Sequence, residues 1–272
     1  MKQADAFSTF EHGAWQKVVG PYDDFFGRLT TQCIEPLLDA VGASKGARLL
    51  DVATGPGYVA AGATHRGAKA TGLDFSSAMV AEAARRYPGA EFREGDAQNL
   101  PFADASFDAV VISFGMLHFP DPDRALKEAH RVLRPGGRIG FTVWAGPDRA
   151  LGFGLVVNAI QAHGNLNVDL PQGPPFFRFS DPAECRRSLA AAGFVEPHVA
   201  EVAQNWRFAS PTEWFDAIEK STVRTAALLR AQTTLARSNI RATVEQSGKS
   251  HRHSDGTIEV PMPAVLASAR KP

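Results

Sequence analysis

Three acids, each at the end of a strand-like segment and beside a glycine or a turn, constrain this chain more than any other feature. Leu49-Leu50-Asp51-Val52-Ala53-Thr54-Gly55-Pro56-Gly57 passes from an apolar stretch through a carboxylate into a glycine-rich turn, and Gly72-Leu73-Asp74 and Gly95-Asp96-Ala97 follow. From Ala47 to Trp144, β-rich apolar runs alternate with helical segments, the signature of a parallel sheet built from βαβ units. The pattern predicts strands over Ala47–Ala53, Ala70–Asp74, Glu91–Glu94, Phe107–Phe114 and Arg138–Trp144. Helices are predicted near Tyr58–His65, Ser77–Arg86 and Pro122–Leu133. Asp121 is placed to cap the last of these, Pro122 suits its first turn, and Pro135-Gly136-Gly137 ends it.

Beyond Trp144 the pattern loosens. Residues Ala145–Phe179 are rich in Gly, Pro and Phe, and Pro171-Gln172-Gly173-Pro174-Pro175 is incompatible with regular structure. Asp181-Pro182-Ala183-Glu184 reads as a capping box opening a helix that stops at Gly193. A strand-like stretch, Val195–Phe208, follows. Ser210-Pro211-Thr212-Glu213 then opens a helical stretch from Thr212 to about Glu245, expected as two helices, and Val260–Ala269 has the content of a closing strand.

At 272 residues and 44% apolar, the chain can build one large α/β core, and no separate second domain is required. Lysines plus arginines balance acids at 29 each, so no global field draws the protein to a phosphate backbone or an anionic membrane. Cys33 and Cys185 lack any metal or redox spacing and read as buried thiols. The N-terminus has no apolar leader and no run reaches the ~20 apolar residues of a membrane span, so a cytoplasmic protein is expected.

Gly55 and Gly57 allow a sharp turn and close approach to a ligand, with the amides of the helix near Tyr58 aimed at it. Gly55-Pro56-Gly57-Tyr58-Val59-Ala60 also fits the dinucleotide fingerprint, with Asp74 at about the ~20-residue offset of a ribose acid. Two acids separate the alternatives. Asp51 gives nothing to a pyrophosphate but favours a cationic amino acid headgroup. Asp96, followed by Ala97, is placed to accept from an adenine amine. The residues therefore point to a nucleoside bearing positive charge, S-adenosyl-L-methionine, in preference to NAD or NADP.

The series L-L-D-V-A-T-G-P-G, G-L-D-F-S, G-D-A-Q-N-L-P-F, F-D-A-V-V and R-V-L-R-P-G-G-R resembles the class I S-adenosylmethionine-dependent methyltransferases, closest to the ubiquinone- and menaquinone-biosynthesis group. The resemblance covers about Gly46–Trp144 and implies a Rossmann-like α/β fold. Its seven-stranded sheet would have helices on both faces and an antiparallel last strand, which Val260–Ala269 would supply. It assigns Asp51, Ala53, Gly55 and Gly57 to the methionine end and Asp74 to the ribose hydroxyls. Phe75 and Met79 would flank the adenine, Asp96 and Ala97 hold its edge, and the backbone of Ser113 and Phe114 complete the amino-group site. Ala53 departs from members that carry glycine there.

The implied organisation is one methyltransferase domain over 1–272. Residues 1–45 would form an N-terminal helical lid, 46–144 the cofactor-binding core, 145–180 and 209–257 substrate-cap insertions, and 258–270 the closing strand. His118, just past the fourth strand, is the candidate base for deprotonating an acceptor hydroxyl. Trp15, Tyr22, Trp144 and Phe177 are candidates to line an apolar acceptor pocket. Arg224 could anchor an acidic substrate, though a helix-surface arginine is the commoner case, and His251-Arg252-His253 has a spacing that can bind a metal but reads as a solvated loop. No metal is expected.

The implied reaction is in-line methyl transfer to a small hydrophobic or aromatic acceptor by a monomer or homodimer, releasing S-adenosylhomocysteine. The fourth strand runs into Ser113-Phe114-Gly115-Met116, unlike the motif of amino-directed DNA enzymes, and nucleic acid is not an expected substrate. A non-catalytic S-adenosylmethionine-binding protein and an NAD(P)-dependent oxidoreductase remain the alternatives.

Overall fold

A computed structural model describes residues 2–272, with side chains described from Ala6 onward. Among the described residues nine strands form: β1 Arg48–Val52, β2 Lys69–Asp74, β3 Glu91–Glu94, β4 Phe107–Ser113, β5 Leu133–Trp144, β6 Val195–Val202, β7 Asn205–Phe208, β8 Ile258–Pro261 and β9 Ala264–Arg270. Seven of them make one sheet in the order β3-β2-β1-β4-β5-β9-β6. The first five run parallel, and β9 pairs antiparallel with both β5 and β6.

The chain opens with α1 Lys2–Trp15, followed by a nearly continuous helical run made of α2 Val19–Tyr22, α3 Arg28–Thr30 and α4 Ile34–Ala40. A π-helical turn at Asp23–Gly27 and a 3-10 turn at Thr31–Cys33 interrupt that run. The crossovers are α5 Tyr58–His65, α6 Ser77–Arg86 and α7 Pro122–Val132, and after β5 come α8 Leu151–His163 and α9 Pro182–Ala191. Three helices, α10 Pro211–Ser221, α11 Arg224–Arg230 and α12 Thr234–Gly248, precede β8.

Strand periodicity explains the two faces. Leu50, Val52, Val110 and Ile112 point into one apolar cluster with Leu126, Val132 and Leu189 from α7 and α9, whereas Leu49 and Val111 point into another with Leu37, Leu38 and Val59 from α4 and α5. Burying each Leu, Ile or Val on these faces contributes about 1.5–3 kcal/mol. A third cluster, around Phe26, Trp144, Phe153, Trp206 and Trp214, lies with the later helices and the β7–β8 pair. The caps are local and follow the sequence: Asp121 accepts from the Arg124 N–H, Asp181 from Ala183 and Ser210 from Glu213.

Three expectations are corrected. Val195–Phe208 is two strands, β6 in the main sheet and β7 in the small antiparallel pair. The closing segment divides likewise into β8 and β9, because Pro263 has no N–H to continue a ladder, while the Met262 N–H turns to the Gln204 carbonyl. The stretch expected as two helices is three, broken at Thr222-Val223, where Thr222 Oγ1 donates to the Ile218 carbonyl and accepts the Ala226 N–H. It breaks again at Thr233, whose hydroxyl caps α12.

Strand order reverses between β1 and β4, so the turns after these strands leave the sheet in opposite directions and open a crevice at its carboxyl edge. Both turns are strained: Ala53, after β1, has φ +55°, and Phe114, after β4, has φ +54°. Left-handed backbone at a non-glycine residue costs about 1–2 kcal/mol, and the two residues sit side by side at the crevice. Gly115 permits the close approach, since a Cβ there would lie 2.8 Å from the Ala53 Cβ.

The two turn glycines after β1 are unequal. Gly57 has φ +88°, and an added Cβ would lie 2.9 Å from Phe92 Cζ and 3.0 Å from the Ala83 Cβ; Gly55 has φ +53° and open space around it. We expect Gly57→Ala to destabilise the fold by about 2–3 kcal/mol and Gly55→Ala by about 1 kcal/mol in urea unfolding. Equal losses would show that packing against Phe92 does not hold the turn.

Candidate active site

Asp51, at the end of β1, is fully buried. Its Oδ2 accepts the Thr54 hydroxyl at 2.6 Å and the Ala60 N–H at 3.1 Å, locking the turn to the first turn of α5. Its other oxygen, Oδ1, is buried with no hydrogen-bond partner among the described residues. Burial pushes its carboxyl up to about 7, against the two hydrogen bonds. Asp74, at the end of β2, accepts the Gly55 N–H at 2.8 Å on Oδ2 and the Ser76 N–H at 2.9 Å on Oδ1, tying the turn after β1 to the turn after β2. Burial raises it to about 6.

A cavity of about 540 Å³ opens on this edge. Its floor is made by Ala53, Gly55 and Asp74 with Ser113 and Phe114, and one side by Phe75, Met79, Asp96 and Ala97. Asp96 is exposed, and its Oδ1 accepts the Gln98 N–H at 2.8 Å. Trp15, Tyr22, His118 and Trp144 also line the cavity. Three sequence candidates do not. Asp51 lies behind the turn, which its Oδ2 holds. Gly57 packs against Phe92 and Ala83, and Phe177 stacks edge-on against Phe176, which takes the lining position instead.

The N-terminal helices supply residues that the sequence alone did not single out. Glu11 on α1 is fully buried, and its Oε2 lies 2.9 Å from His118 Nδ1 and accepts the Trp15 indole N–H at 3.0 Å. The Trp15 and His118 rings meet edge to face at 4.9 Å. Gln16 Oε1 accepts the Ala78 N–H at 3.0 Å and the Ser76 hydroxyl at 3.2 Å, pinning α1 to the start of α6. The far wall is aromatic, with Phe26, Phe153 and Phe176 beside Trp144. Arg224 lines the cavity too, correcting its reading as a surface arginine.

S-adenosylmethionine fits these residues on two observations. The buried, unpartnered Asp51 Oδ1 belongs to a carboxyl whose neutral form burial favours, and a ligand cation across the turn would favour its ionised form. The cavity is of nucleoside size and joins acidic side chains, Asp74 and Asp96, to apolar ones, Phe75 and Met79. Among the described residues no group of three or more His, Cys, Asp or Glu has the arrangement of a metal site.

Comparison with known proteins agrees. Residues 50–141 match the model of a methyltransferase domain. The demethylmenaquinone methyltransferase of Thermus thermophilus is 44% identical over 163 residues, spanning 54% of this chain and 74% of that protein. That of Beutenbergia cavernae is 47% identical over 113 residues, spanning 42% of this chain and 47% of that one. The chain spans about half the length of several such curated relatives. Among solved structures, a methyltransferase of Bacillus halodurans described only by its class superposes with a TM-score of 0.55 at 22% identity, over 88% of this chain and 98% of that one. The [4+2]-cyclase SpnF shares the fold with a TM-score of 0.51 at 24% identity, over 89% of this chain and 80% of that one.

The chain therefore belongs to the class I S-adenosylmethionine-dependent methyltransferases. Within that class it falls with the menaquinone and ubiquinone type, whose cofactor is S-adenosylmethionine and whose product is S-adenosylhomocysteine.

The raised Asp51 acidity has a sign that can be tested. A carboxyl raised from 3.8 to about 7 on folding stabilises the fold fully below pH ~4, and that contribution is lost as pH rises through about 7. Between about pH 5 and about pH 8 the ligand-free protein should lose about 2–4 kcal/mol more stability than its Asp51→Asn variant, measured by urea unfolding. Parallel pH dependence of the two would show that Asp51 is not buried in its neutral form.

Proposed function

We propose that this chain transfers a methyl group from S-adenosylmethionine to a small, apolar or aromatic acceptor by in-line displacement. The observation that carries the reading is one cavity with an acidic half at the ends of β2 and β3, floored by the turn after β1, and an aromatic half against the later helices. S-adenosylmethionine, when bound, supplies a methyl group already activated on a sulfonium, so alignment and exclusion of water do much of the catalysis.

In this reading Asp74 accepts from the ribose hydroxyls, Asp96 and Ala97 meet the adenine edge, and Phe75 and Met79 flank its ring. Ala53, Gly55, Ser113 and Phe114 present backbone to the methionine end, with Asp51 supplying negative charge from behind the turn. Trp15, Tyr22, Phe26, Trp144 and Phe176 enclose the acceptor and keep water from it. His118, fixed at Nδ1 by Glu11, takes a hydroxyl proton on Nε2. Residues 1–45 act as a lid, anchored through Gln16, and 145–180 and 209–257 cap the acceptor end.

The relatives' names point to a quinone acceptor, and a cavity walled by aromatic rings suits a flat ring of that kind. No helix among the described residues is long and apolar enough to cross a membrane. The balanced charge supports a small-molecule acceptor in the cytoplasm and disfavours nucleic acid.

Calorimetry tests the cofactor half. S-adenosylhomocysteine should bind and NADH should not, and Asp74→Ala should weaken S-adenosylhomocysteine by about 1.5–3 kcal/mol, since it removes a charged acceptor and frees the Gly55 N–H. Binding of NADH without response to S-adenosylhomocysteine would overturn the reading. Because the fold also serves a cyclase, transfer of label from methyl-labelled S-adenosylmethionine to a panel of hydroxyarenes and quinols tests the reaction itself.

A further inference from the structure

A partly buried guanidinium ordinarily holds a carboxylate, because a cation removed from water needs a counter-charge. Arg86, Arg131 and Arg178 obey this rule, each gripping two acids: Asp23 and Glu82, Asp104 and Glu128, and Asp123 and Glu184. Arg224 does not. It lines the cavity and has no carboxylate within ion-pair distance among the described residues, and its one hydrogen bond runs from Nη1 to the Pro174 carbonyl at 3.1 Å. Its guanidinium carbon lies over the rings of Phe7, at 5.4 Å, and Phe176, at 5.8 Å, which hold it in place without neutralising it.

The carboxylate whose field reaches Arg224 is Glu11; its Oε2 is taken by His118 and Trp15, and its Oε1 is buried without a hydrogen-bond partner among the described residues and outside ion-pair distance of Arg224. Burial pulls Arg224 below its ordinary value, and Glu11 only opposes this. The nearby hydroxyls are already engaged: Ser221 donates to the Ala217 carbonyl and Thr222 to Ile218. The arginine thus lines the cavity with the rest of its donor fork lacking a hydrogen-bond partner among the described residues, on a wall supplied by the segment Ser221–Thr225 and beside Phe176.

We infer that Arg224 is a specificity residue for the acceptor and that the acceptor is an aromatic carboxylate, its ring between the aromatic walls and its carboxylate on the Arg224 fork. The planar guanidinium matches two carboxylate oxygens at once, in a site where neighbouring rings exclude competing water. Such an acceptor carries a charge that a quinone ring lacks. The inference rests on the methyltransferase reading, which makes this the acceptor end of the cavity.

The test uses full-length protein saturated with S-adenosylhomocysteine, titrated calorimetrically with 2-naphthoate and with 2-naphthamide, which share a ring system and differ in charge. The wild type should bind naphthoate at least about tenfold more tightly than naphthamide. Arg224→Met should erase that preference and leave naphthamide unchanged, and Arg224→Lys, which keeps the charge but loses the fork, should fall between. Unchanged S-adenosylhomocysteine affinity and circular dichroism identify folded variants. Equal binding of the two probes by the wild type, or a naphthoate preference that survives in Arg224→Met, would overturn the inference. Failure of the wild type to bind S-adenosylhomocysteine would count against the methyltransferase reading instead.

Discussion

Everything at the carboxyl edge of the sheet depends on the contact between the turns that follow β1 and β4. The strands are neighbours, but their chains depart in opposite directions, so the turns must meet closely before they separate. Gly115 makes room for Ala53, and both Ala53 and Phe114 are held with positive φ. The strain is sustained from outside. Asp51 binds the turn after β1 to α5, and Asp74 binds the same turn to the start of α6. A crevice with fixed backbone groups on both walls results, which is what a preorganised ligand site requires.

The same interactions leave the ligand-free site electrostatically incomplete. Two acids lie buried at its base, both raised by burial, and one oxygen of Asp51 has no partner. A cation would balance Asp51 and hydroxyls could donate to Asp74, and an S-adenosyl amino acid has both. At the opposite end the imbalance has the other sign, in Arg224, which has no ion-pair partner among the described residues. One cavity therefore has acids, Asp74 and Asp96, where a sulfonium nucleoside would sit and a cation, Arg224, where an acceptor would sit.

What the sequence made legible was local. The first four strands, the crossover helices and the Asp121, Asp181 and Ser210 caps follow from patterns within a dozen residues, and so do the acids at the strand ends. What it hid was pairing across distance. The split of Val195–Phe208 and of the closing segment depends on which strand β9 chooses as neighbour, and that choice is made by chain positions far apart. Glu11 meets His118 across 107 positions, and nothing near either residue announces it. Arg224 looks like a surface residue because its helix is short and its local pattern polar, and only the packing of Phe7 and Phe176 places it inside. Asp51 was legible as a site acid, but its carboxylate faces the turn, a direction that sequence does not encode.

The most direct test of the account is a crystal structure of the protein with S-adenosylhomocysteine. The ligand should lie with its ribose at Asp74, its adenine edge at Asp96 and Ala97 between Phe75 and Met79, and its amino acid end against the Ala53–Gly55 and Ser113–Phe114 turns, with the sulfur facing the aromatic half that holds His118. Ligand density outside this cavity, or an orientation that places the adenine against Trp144 and Phe176, would contradict it.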